Sequence, residues 1–109
     1  MVYPGAFNTT TGPLHWDLLQ RARAVDNQLY VIMCSPARSS NKDDYQAWGY
    51  SGVTNPMGKI VAQLDEKPGA LSERISVEDI NKTRMGIPVS VQRRFDVYPD
   101  VAQTDRTNM

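Results

Sequence analysis

Cys34 and His15 are the single cysteine and the single histidine of this chain. A thiol with an imidazole elsewhere is the smallest set that could make a nucleophile and its base. The surrounding residues argue against that use. Cys34 falls near the end of the run Gln28-Leu29-Tyr30-Val31-Ile32-Met33-Cys34-Ser35, which holds no charged residue to favour a thiolate. A small thiol in such a run behaves as a hydrophobe, so Cys34 reads as structural. His15 stands beside Trp16 at the start of a helix, with nothing in the pattern to serve as its catalytic partner. One Cys and one His make no metal site without several converging carboxylates, so neither a metal nor a cofactor is expected.

Phe7 and Thr11 are better placed to meet a ligand. They lie in the Gly/Thr/Asn-rich loop from Pro4 to Pro13, which follows the end of a strand, where α/β proteins tend to bind small molecules. Phe7 supplies an aromatic wall and Thr11 a hydroxyl, while Gly5, Ala6 and Asn8 add backbone or side-chain contacts. The competing reading is a Thr-rich turn with Phe7 in the core. Arg21, Arg23, Asp26 and Asn27 read as ties between a helix end and neighbouring backbone. Arg93 and Arg94, with Asp96 and Asp100, read as a solvated face or an ion-paired arm, and exposed pairs of that kind contribute only about 0–1 kcal/mol.

The elements that must position these residues follow from the pattern. Met1 to Tyr3 reads as the end of a strand. A helix is predicted from about Leu14 to Asn27, with Pro13 tolerated in its first turn and Leu14, Leu18, Ala22 and Val25 as the buried stripe. The continuous apolar run ending near Cys34 suits a strand covered on both faces. Ala47 to Thr54 and Lys59 to Asp65 form a hairpin around the turn Asn55-Pro56-Met57-Gly58. Ala70 to Ile75 is predicted as a short strand, and Ser76-Val77-Glu78-Asp79 as the N-cap of a helix that ends near Met85. Val89 to Tyr98 is basic, aromatic and expected to be extended. The class is mixed α/β.

Length and composition bound the rest. The chain has 109 residues, 40% of them hydrophobic, with 12 basic and 12 acidic residues. That balance leaves no basic stripe to recruit nucleic acid or anionic lipid. No apolar run approaches the roughly 20 residues of a spanning helix, so no membrane role is expected. The start Met1-Val2-Tyr3-Pro4-Gly5 has no charged region followed by an apolar stretch, and is expected to be the middle of something rather than a leader. A single cysteine fits a reducing compartment.

Several stretches, in order, resemble the nitrilase superfamily of carbon–nitrogen hydrolases: Tyr3-Pro4-Gly5-Ala6-Phe7-Asn8, Thr11-Gly12-Pro13-Leu14-His15-Trp16, Arg21 through Gln28, Asn55-Pro56-Met57-Gly58-Lys59-Ile60 and Arg93-Arg94-Phe95-Asp96-Val97-Tyr98. Cys34-Ser35-Pro36-Ala37-Arg38 is similar to the omega-amidase branch in particular. Tyr50, where the pattern has histidine, and Gly52 depart from it. The resemblance runs from Val2 to about Val101 and covers the C-terminal third of such an enzyme.

The resemblance implies a partial nitrilase-type α-β-β-α sandwich of about two helices and four strands, spanning 1–101, with a polar tail over 102–109. It implies Cys-thioester hydrolysis of the amide of a small 2-oxo acid, of the 2-oxoglutaramate type, with release of ammonia. It places the Glu base, the oxyanion-stabilising Lys and the Cys nucleophile before Tyr3, so no catalytic residue is carried here and the chain alone is expected to be inactive. It places Phe7, Thr11, Ala6 and Asn8 against the substrate. It implies a homo-oligomer for the intact enzyme, in the cytoplasm or the mitochondrion, and uses the 93–98 arm at subunit contacts. Three readings stay open beside it: part of an amidase for deaminated glutathione, a non-catalytic interaction fragment, and a gene model opened at an internal methionine.

Overall fold

The computed structural model describes residues 1–103. Strand β1 (Val2–Pro4) leads through a loop into a π-helical turn (Gly12–Trp16) and helix α1 (Asp17–Asn27). Then come β2 (Val31–Cys34), β3 (Gly52–Thr54), β4 (Ile60–Gln63) and helix α2 (Val77–Gly86). The strands form one sheet in the order β1-β2-β3-β4. β1 runs parallel to β2, and the two later pairings are antiparallel. Two α-helices on a four-stranded mixed sheet match the partial α/β sandwich that the sequence implies.

The apolar run does what its composition requires. β2 is paired on both edges, Tyr3 opposite Met33 and Ile32 opposite Val53. Its faces differ, however. Val31 and Met33 are buried, Ile32 is half-buried and Cys34 is exposed. Cys34 is therefore not the buried thiol that the sequence suggests. Side chains alternate across a strand, and α1 covers only the face that carries Val31 and Met33.

The buried stripe of α1 is also corrected. Trp16, Gln20 and Ala24 are wholly buried, whereas Leu14 and Leu18 are each 62% exposed and Val25 is exposed. The π-helical turn wraps more residues per turn than an α-helix, so a 3.6-residue phase counted from Leu14 does not carry through it. Trp16, which has the largest apolar surface to cover, takes the sheet-facing position instead. The core is Trp16, Ala24, Val31 and Met33, with Phe7, Leu29, Trp48 and Tyr50 packed against it.

The hairpin of β3 and β4 forms as expected. Asn55 Oδ1 accepts the N–H groups of Met57 and Lys59, each at 3.0 Å, and Gly58 occupies the left-handed region at φ +83°. Ala70 to Ile75 forms no strand. Leu71, Glu73 and Ile75 pass over the exposed face of the sheet, beside Ile32, Cys34 and Val53, rather than along an edge where ladder bonds could form. Val89 to Tyr98 is turned rather than extended, with Val97 and Tyr98 N–H bonded to Arg94 C=O and Arg94 forked onto Asp96 at 2.7 and 2.8 Å. Ser76 takes the N-cap position without a side-chain cap bond. The tail predicted over 102–109 lies outside the described residues from 104 onward.

Candidate functional site

The loop from Gly5 to Thr11 is held from both ends and along its length. Gly5 N–H donates to Cys34 C=O at 2.9 Å, which continues the β1–β2 pairing into the loop. Asn8 then organises the turn. Its Oδ1 accepts the N–H of Thr10 at 2.9 Å, the N–H of Thr11 at 2.8 Å and the hydroxyl of Thr11 at 3.0 Å. Its C=O accepts Gly12 N–H at 2.8 Å. An Asn side chain that caps backbone in this way substitutes for the partners that the first turn of a helix lacks.

A second segment, 36–48, is stitched to the outside of that loop. Trp48 N–H donates to Phe7 C=O at 2.6 Å, Asn8 and Ala47 form an antiparallel bridge, and the Tyr45 hydroxyl donates to Ala6 C=O. Gly12 has to be glycine here: a Cβ at that position would lie 2.1 Å from Trp48 Cγ. The aromatic groups close a ring. Phe7 meets Trp16 edge to face at 5.0 Å, Trp16 Nε1–H donates to Tyr50 C=O at 2.8 Å, and Tyr50 stacks on Trp48 at 4.7 Å.

Beside this ring lies a mostly apolar cavity of about 210 Å³, lined by Gly5, Phe7, Trp16, Leu19, Met33 and Arg23 among others. Of the residues predicted to face a substrate, Phe7 lines it, as does Gly5, whereas Ala6, Asn8 and Thr11 do not. Asn8 and Thr11 are brought together by their mutual hydrogen bond. His15 and Cys34 are both exposed, and no hydrogen bond joins them. Among the described residues, no group of three His, Cys, Asp or Glu could hold a metal, and no helix is long and apolar enough to cross a membrane.

The family model for carbon-nitrogen hydrolase matches residues 2–85. This chain belongs to the carbon-nitrogen hydrolase family. It is 54% identical over 101 residues to omega-amidase NIT3 of Saccharomyces cerevisiae, an alignment covering 93% of this chain and 34% of that protein. It is 50% identical over 98 residues to human omega-amidase NIT2, covering 90% of this chain and 35% of that protein. The crystal structure of Saccharomyces cerevisiae Nit3, a member of branch 10 of the nitrilase superfamily, superposes with a TM-score of 0.79 at 52% identity, over 87% of this chain and 35% of that one. The chain thus spans about a third of the length of the curated relatives it matches.

Within this carbon-nitrogen hydrolase segment, sequence reasoning missed Trp16, Tyr45, Trp48 and Arg38 as parts of the site. Trp16 enters the sequence reading only as the neighbour of His15, Trp48 only as part of a predicted strand, Arg38 only as the end of a motif, and Tyr45 not at all. Nothing in the sequence alone brings Trp48 to this loop; the Trp48 N–H bond to Phe7 C=O shows it.

Proposed function

We propose that this chain is a segment of an omega-amidase-like hydrolase acting on the amide of small 2-oxo acids of the 2-oxoglutaramate type, with the Gly5–Thr11 loop forming one wall of its acyl site. The observation that carries this reading is the identity of about half the residues, over nine-tenths of the chain, to two proteins named omega-amidase. The geometry supports it. Phe7 is clamped at its carbonyl by Trp48 and at its ring by Trp16, and a rigid aromatic wall suits the short carbon chain of such a substrate. The Asn8–Thr11 turn holds the loop in the bound shape before the substrate arrives, which lowers the ordering cost of binding.

In the intact enzyme a Cys thiolate attacks the amide carbon, ammonia leaves and water cleaves the thioester. No residue of this chain matches that nucleophile, its Glu base or the oxyanion Lys, and Cys34 is set apart from His15. The chain alone is inactive on this reading, and the intact protein is a cytoplasmic homo-oligomer.

Two measurements test it. The purified chain and its Cys34→Ser variant are assayed for ammonia release from 2-oxoglutaramate; both are expected at background, and activity lost in Cys34→Ser would refute the assignment. Residues 2–85 are then grafted in place of the matching segment of the Saccharomyces cerevisiae omega-amidase. The graft is expected to keep 2-oxoglutaramate as its preferred substrate; preference for deaminated glutathione would move the segment to that sister activity.

A further inference from the structure

We propose that Arg38 is the positioning residue of the Phe7 loop, an assignment that rests on the omega-amidase reading for its effect on substrate but not for its structural content. Arg38 ends the Cys34-Ser35-Pro36-Ala37-Arg38 motif and is not among the residues lining the cavity. Its Nε–H donates to Ala47 C=O and an Nη–H to Trp48 C=O, both at 3.0 Å. Its guanidinium carbon lies 5.3 Å from the centre of the Trp48 ring. Its own N–H donates to Glu66 C=O at 2.8 Å, which anchors it to the chain just beyond β4.

Those two carbonyls belong to the residues that hold the loop. Ala47 bridges Asn8, and Trp48 N–H bonds Phe7 C=O. A planar fork fastened to consecutive carbonyls fixes the direction of that peptide plane, and hence of the Trp48 N–H aimed at Phe7. Among the described residues, no carboxylate forms an ion pair with Arg38. Its protein contacts are two carbonyl dipoles and the indole face. The guanidinium's side-chain hydrogen bonds and its ring contact all converge on the site-forming segment. Lysine, a point donor on a flexible stem, cannot reproduce the fork.

The experiment uses amide hydrogen exchange on the full chain. In Arg38→Lys, the Trp48 amide is expected to exchange about tenfold faster than in the parent, the scale of one lost hydrogen bond. The Leu64 amide, bonded to Ser51 C=O, serves as the control and is expected to stay within about twofold. Guanidinium ion at millimolar concentration is expected to restore protection in Arg38→Ala and to leave the parent unchanged. An unprotected Trp48 amide in the parent, or equal exchange in Arg38→Lys, overturns the proposal. In the active graft, Arg38→Lys is expected to raise KM for 2-oxoglutaramate about tenfold with kcat within about threefold, because a misplaced wall weakens binding without touching the reacting groups. Unchanged KM in an active graft overturns the role toward substrate. A parent graft without amidase activity sinks the omega-amidase reading instead, and the exchange result still decides the clamp.

Discussion

Helix α2 buries no residue fully and is tied to the rest of the fold by a few side-chain hydrogen bonds, so losing one of them should loosen its attachment. None of its 10 residues is buried. A helix of that length does not persist in water without tertiary support. Its anchors are the Tyr30 hydroxyl on Asp79 Oδ2 at 2.7 Å, Gln28 Nε2 on Ile87 C=O at 2.6 Å, and Arg84 on the carbonyls of Gln28 and Asn27 at 3.2 and 3.4 Å. A hydrogen bond to a charged acceptor contributes about 1.5–3 kcal/mol. Asp79 is exposed, and water takes the place of a lost partner, so Tyr30→Phe should cost about 1–1.5 kcal/mol. That raises the open population of α2 roughly tenfold. Amide exchange at Thr83 and Met85 reads the change directly, with β3 amides as the unaffected reference.

The same contact predicts the pH dependence. The hydrogen bond to Asp79 raises the Tyr30 phenol above its ordinary value, and burial adds to the effect. A group whose folded pKa is raised contributes stability that is complete below its unfolded pKa, near 10, and is lost as pH rises through the higher folded value. Protection of α2 should therefore be flat from neutral pH to about 9 and fall above 10, and Tyr30→Phe should remove that fall. Exchange at Thr83 within twofold of the parent, or an alkaline fall that survives in Tyr30→Phe, would refute the assignment of α2 docking to this bond.

Three further outcomes are expected. In the graft, Phe7→Ala should lower kcat/KM for 2-oxoglutaramate by more than tenfold, and His15→Ala by less than about threefold, because only Phe7 lines the cavity; the reverse order would discard the loop as a substrate wall. Gly12→Ala should destabilise by about 3 kcal/mol or more, read as a fall in denaturant midpoint, because its Cβ would meet the Trp48 ring at 2.1 Å and both neighbours are fixed by hydrogen bonds. The isolated chain should not behave as a stable monomer: sedimentation is expected to show self-association, and a sharp cooperative melt from a monomer would refute this. The free edge of β1, with Val2 and Tyr3 exposed, and the uncovered Leu14 and Leu18 leave several hundred Å² of apolar surface in water, worth several kcal/mol at about 25 cal/mol per Å².

How far the sequence reveals this structure depends on whether an element's cover lies within the chain. The hairpin was legible because its determinants are local: Asn55, Pro56 and Gly58 define the turn whatever packs around it. The β2 run was legible as a two-edged strand because its apolar continuity reports burial in the whole family fold, yet the same continuity misplaced Cys34, whose face is crossed only by the irregular segment with Leu71, Glu73 and Ile75, which leaves the thiol exposed. The α1 stripe failed for a related reason. Leu14, Leu18 and Val25 mark a face that stays largely exposed among the described residues, while the face on the sheet is marked by Trp16, Gln20 and Ala24, one of which is polar. An apolar stripe in a sequence records every surface the helix must cover, including those supplied from elsewhere. In the site, Phe7 lines the cavity, whereas Asn8 Oδ1, also expected at a ligand, accepts two backbone N–H groups and the Thr11 hydroxyl. A hydroxyl and an amide in a glycine-rich loop suit both roles, and only the 3.0 Å bond between them shows that they are already occupied with each other.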